Sequence, residues 1–176
     1  KAATDYVTWN DKIWGIPYRI ETHGIIFNKD HFKEAGLDPD KPPKTWDELT
    51  AAAKAMTKGG RYGFGITGGG EVGNTIFRSL PFIWMNGGSI ISDDMTKATV
   101  NEAPAVEAVK FYTDFLKNGW SPPSTLQNDG TANRQLFIAG TVAMYQSGQF
   151  DVPAIKKENA NIDIGVMPIP HPAGKN

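Results

Sequence analysis

The chain has 176 residues, of which 40% are hydrophobic and 21% charged, with a formal net charge of -1. This is the composition of an ordinary folded domain with a sizeable core. It argues against nucleic acid or an anionic membrane as partner. Cysteine is absent, which excludes disulfides and thiolate chemistry, and no apolar run approaches the roughly 20 residues of a membrane span.

Residues 13–18 read as a short strand meeting a turn, and Gly24-Ile25-Ile26-Phe27 as a buried strand. Asn28 caps a short helix through Ala35. Gly36 stands at the left-handed C′ position, and Leu37 can fold back on Phe32, as in a Schellman ending. Residues 38–44 hold three prolines and form a loop. Thr45-Trp46-Asp47-Glu48 has the capping-box pattern, and Trp46, Leu49, Ala53 and Met56 share one apolar helical face. Gly59-Gly60 ends that helix.

Residues 62–66 alternate like a strand, and Gly68-Gly69-Gly70 is a loop. Residues 75–85 are helix-like, with Pro81 expected to kink them, and Asn86-Gly87-Gly88 ends the run. A small extended region covers 89–91 and 98–100. Asn101 is expected to cap the longest helix, about 102–118, with Val106, Val109, Tyr112, Phe115 and Leu116 facing a core. Asn128-Asp129 leads into a helix across 134–139, and Gly140 breaks it before a strand at 142–145. A helix at 150–158 and a strand at 162–167 complete the series. Strands alternating with helices imply an α/β layered fold.

Gly63-Phe64-Gly65-Ile66-Thr67-Gly68 matches G-x-G-x-x-G. A dinucleotide fingerprint follows a strand and opens a helix; here the motif is itself the strand, so a Gly-rich strand running into a loop is the better reading. His23, His31 and His171 are scattered without metal-ligand spacing. Glu21 lies in a polar run between apolar stretches. Its carboxylate suits sugar hydroxyls, a glycosidase role with a second carboxylate such as Asp151, or a plain surface ion pair with Arg19. Aromatics make up 11% of the chain. Tyr18, Phe77, Trp120 and Phe150 are candidates for stacking on sugar rings, with core packing the alternative for each. Trp46 belongs to the core.

These segments, in this order, resemble the family 1 extracellular solute-binding proteins, the maltose and multiple-sugar binding group. The matching text is Gly15-Ile16-Pro17-Tyr18, Gly24 to Phe32, Ala35-Gly36-Leu37-Asp38, Pro42 to Leu49, Tyr62 to Gly65, Asn86-Gly87-Gly88, Phe137 to Met144 and Gly165 to Pro170. The resemblance implies one lobe of a periplasmic-binding-protein-like two-lobe fold, a mixed sheet flanked by helices. Residues 1–21 would be the hinge and first inter-lobe crossing, 22–164 the C-terminal lobe, and 165–176 the return strand and loop. The N-terminal lobe and the helices after the return strand would lie outside the chain.

It further implies a non-catalytic protein, without cofactor or metal, that delivers a sugar to the membrane permease of an ABC importer from the periplasm or cell exterior. Ligand contacts carried over by resemblance are Tyr18, Arg19, Glu21, Asn74, Phe77, Gly148, Gln149 and Phe150. Phe150 stands where the family usually has Trp, and Gln149 where it usually has Pro, which leaves the sugar's identity open. A glycerol phosphate or another polyol is the rival ligand, with Arg19 and Arg78 available to a phosphate.

Overall fold

The computed structural model describes residues 2–175. In chain order the elements are α1 (Ala2–Asp5), β1 (Thr8–Trp9), β2 (Lys12–Ile13), β3 (His23–Asn28), α2 (Lys29–Glu34), α3 (Trp46–Met56), β4 (Tyr62–Gly65), α4 (Val72–Met85), α5 (Ala103–Lys117), a 3-10 turn (Pro123–Leu126), α6 (Gly130–Ile138), β5 (Val142–Gly148), α7 (Asp151–Glu158) and β6 (Ile164–Met167).

Local signals set most of the boundaries. Asn28 Oδ1 accepts from the amides of Asp30 and His31 and so starts α2. The helix closes as a Schellman motif, with Leu37 N–H donating to Phe32 O at 2.9 Å and Gly36 at φ 75°. Thr45 and Glu48 form the reciprocal capping box of α3. The same Schellman geometry ends α4, where Gly88 N–H donates to Ile83 O at 2.9 Å.

Four strands form a mixed sheet in the order β4-β5-β3-β6. β4 pairs parallel with β5, while β3 runs antiparallel to both β5 and β6. The carboxyl ends of β4, β5 and β6 therefore meet the amino end of β3 at one edge. Helices cover both faces. Ile25, Phe27, Phe64 and Met144 pack with α3, α4 and α5 residues Leu49, Phe82 and Phe115. On the other face Ile26, Val142 and Tyr145 pack with Phe137 of α6 and Ile155 of α7. All seven residues of β5 are buried, as a central strand covered on both faces requires.

The G-x-G-x-x-G motif serves packing. A methyl group on Gly63 would overlap the Ala53 backbone, so the bare glycine lets β4 lie against α3. No helix follows the motif until α4 at Val72.

Several expectations need correction. The strand expected at 13–18 ends at Ile13, and residues 14–22 carry no strand. Pro17 has no N–H to give a ladder, and Ile16 and Tyr18 are exposed. Asn101 does not cap α5: Glu102 holds the N-cap position and caps through its backbone. The buried stripe of α5 is Ala105, Ala108, Tyr112 and Phe115, whereas Val106 and Val109 are exposed. For Trp120 the core-packing alternative holds: it lies partly buried against the core, edge-on to Phe115. α4 begins at Val72, ahead of the expected Thr75.

Candidate functional site

The sheet edge where β4, β5 and β6 end is where α/β proteins commonly hold ligands. Three of its segments come from distant parts of the sequence. Register places His23 opposite Gly148 and Ile25 opposite Met167. The segment entering β3 thus lies beside the turn leaving β5 and the strand end of β6. Thr22, His23, Gly148, Gln149, Met167 and Pro168 border a cavity of about 420 Å³ at this edge.

Gln149 joins two of these segments. Its Oε1 accepts from Thr22 N–H at 2.8 Å and from the Thr22 hydroxyl at 3.1 Å, and its Nε2 donates to Ile20 O at 3.3 Å. Its own backbone N–H donates to Thr22 O. The side-chain amide is therefore committed to holding residues 20–22 against the β5–α7 turn.

That tie fixes where Glu21 sits. Glu21 forms an ion pair with Arg19, and its other oxygen lies 3.8 Å from His23 Nε2. Gln146 Nε2 meets His23 Nδ1 at 3.0 Å. The Phe150 ring stands edge-on to His23 at 6.4 Å and is 43% exposed. A methyl on Gly148 would overlap that ring, so the glycine gives Phe150 its place.

Asp151 anchors the turn from below. Buried at the start of α7, it accepts hydrogen bonds from Arg134 Nη1 at 2.8 Å, Tyr145 O–H at 2.9 Å and Ser147 O–H at 2.6 Å. Burial first, then the neighbouring Asp151 charge, pushes the Tyr145 phenol well up, so it stays a neutral donor.

The remaining candidates stand apart from this cavity. Phe77 and Asn74 lie on the first turns of α4, beyond the end of β4, with Phe77 exposed. Asn74 accepts from Arg78 Nη1 through both its backbone and side-chain oxygens. Tyr18 is almost fully exposed. Sequence reasoning missed Thr22 and His23 as site residues, because what brings them in is a pairing across more than a hundred residues. Among the described residues no group of three His, Asp or Glu is placed to hold a metal ion, and no helix is long and apolar enough to cross a membrane.

The family model for bacterial extracellular solute-binding proteins matches residues 1–176. A binding protein of Brucella abortus is 33% identical over 161 residues, covering 90% of this chain and 38% of that protein. The sn-glycerol-3-phosphate-binding periplasmic protein UgpB of the same species is 30% identical over 159 residues, covering 86% of this chain and 35% of that protein. An ABC transporter solute-binding protein from Thermotoga lettingae, solved with bound α-D-tagatose, superposes with a TM-score of 0.87 at 32% identity. That alignment covers 98% of this chain and 45% of the other. The chain spans less than half the length of each of these relatives. With the fold of one lobe of such proteins and a match along its whole length, the chain belongs to the bacterial extracellular solute-binding protein family.

Proposed function

We propose that this chain is one wall of a cleft that binds a sugar, mono- or oligosaccharide, for delivery to the membrane permease of an ABC importer outside the cytoplasm. Residues 1–21 and 165–176 carry the crossings to a second lobe, and 22–164 form the lobe itself. One observation carries the reading: Glu21, Gly148 and Phe150 converge on one sheet edge, held there by Gln149 and Thr22. An acceptor carboxylate beside an exposed ring is what a sugar needs, since its hydroxyls want acceptors and its C–H face wants an aromatic plane. Tyr18, Arg19, Asn74 and Phe77 extend the wall on either side. The tagatose-bound relative supports a sugar ligand, and the glycerol-3-phosphate-binding relative supports a polyol phosphate as its rival.

Binding needs no bond-making. Ligand contacts made by both lobes favour the closed state. A glycosidase pairing of Glu21 with Asp151 fits poorly, because Asp151 is buried and both its oxygens are already bonded. A thermal-shift screen of sugars and polyols on the complete two-lobe protein tests the reading. Stabilisation by one or more sugars is expected. No response across the panel, or cleavage of a glycoside, would overturn it.

A further inference from the structure

Three of the four arginines meet a carboxylate: Arg19 meets Glu21, Arg61 meets Glu34 and Arg134 meets Asp151. The fourth, Arg78 on α4, is only 8% exposed. Among the described residues no carboxylate comes within ion-pair distance of it. Its Nη1 donates to Asn74, but its Nε is buried without an acceptor. Arginine cannot shed its proton, so a mostly buried guanidinium with no paired carboxylate and an unmet Nε has room for a further acceptor. The tyrosines near it supply no charge. Tyr112 is buried, with its phenol pushed up to about 12 by that burial, and Tyr145 is likewise held neutral.

The guanidinium points at the start of a helix. A methyl on Gly130, the first residue of α6, would overlap Arg78 Nη2. α6 is nine residues long and leads back into β5, so its amino end lies at the same sheet edge as Phe150. Asp129 caps only the Ala132 amide there. The N–H groups of Gly130 and Thr131 meet no acceptor among the described residues. A guanidinium whose Nη1 is held by Asn74 and whose Nε has no acceptor thus shares one corner with two helix-terminal amides that have none, beside the Asp129 cap.

We propose that Arg78 and the amino end of α6 form an anion-accepting corner of the cleft, which takes a carboxylate or phosphate carried by the ligand. This rests on the cleft-binding reading and narrows its ligand to an anionic one, either an acidic sugar or the rival sugar-alcohol phosphate. A neutral hydroxyl could satisfy the hydrogen bonds but not the charge. A planar anionic group satisfies both, with paired N–H donors from arginine and the favourable end of the helix dipole.

Titration calorimetry on the complete protein tests this with matched pairs: glucuronate against glucose, and glycerol 3-phosphate against glycerol, with inorganic phosphate as a bare probe. The charged member of one or both pairs should bind at least about tenfold tighter. Added salt should weaken that preference. The carboxylate and phosphate arms show which anion the corner takes. Arg78→Gln should abolish the preference and Arg78→Lys should keep part of it. Gly130→Ala, which crowds the guanidinium, should reduce it. Should Arg78→Gln fail to fold, the wild-type pairs still decide. Neutral members binding as tightly as charged ones, or a preference that survives Arg78→Gln, would sink the anion corner and leave sugar binding standing. Binding of no sugar or polyol would remove both.

Discussion

Replacing Asp151 with alanine should cost the fold about 3–4 kcal/mol. The estimate is built from its three partners. Tyr145 and Ser147 are buried, and each hydroxyl left without its acceptor costs about 1–1.5 kcal/mol, toward the low end for a buried polar group because a hydroxyl can rotate. The Arg134 side chain is 22% exposed and has Glu158 at 3.9 Å, so its loss is discounted to about 1 kcal/mol. The sum falls at the low end of the usual cost of breaking a buried ion pair. For a chain of this size the melting temperature should drop by roughly 6–15 °C. Urea unfolding of the wild type, Asp151→Ala, Ser147→Ala and Tyr145→Phe measures the terms one by one. Each hydroxyl deletion should cost about 1 kcal/mol, and combining Ser147→Ala with Asp151→Ala should add less than the sum of the singles. An Asp151→Ala loss below about 1 kcal/mol would refute the idea that this carboxylate anchors the turn bearing Phe150.

Burial, reinforced by the Arg61 charge, lowers the pKa of His31 from its ordinary 6.5, so its protonation opposes folding. Stability from this source is complete above pH 6.5 and declines as pH falls through that value toward the lowered pKa, where the unfolded chain binds the proton first. His31→Gln should flatten this part of a stability profile taken between about pH 8 and pH 5, and an unchanged slope would contradict it. The 176-residue chain alone should bind sugars no better than about millimolar, because one wall leaves much of a ligand in water and still bears the full entropic cost of association. Micromolar binding in calorimetric titration of that chain would show a complete site.

What the sequence made legible was local. The Asn28 cap, the Thr45–Glu48 box and the Gly36 and Gly87 endings lie within a few residues of the helices they bound, and each appears in the structure. The start of α4 was missed because Glu71 caps through its backbone and leaves no side-chain signature. α5 was misread for a related reason. Its face is chosen by what α4 packs against, and small alanines are buried while the valines are left outside. At the site, Phe150 and Glu21 could be named from resemblance. The Gln149–Thr22 tie could not, since it joins residues 127 apart through strand register. Arg78 could be named as a cation, but its lack of a carboxylate partner is visible only once the helices are placed.

The most direct measurement is the affinity of the complete protein for its best sugar, with and without the ring of Phe150. Phe150→Ala should weaken binding by about 1–3 kcal/mol, roughly five- to 150-fold, as expected for a lost aromatic anchor. An affinity unchanged by Phe150→Ala would contradict the placement of the sugar at this sheet edge.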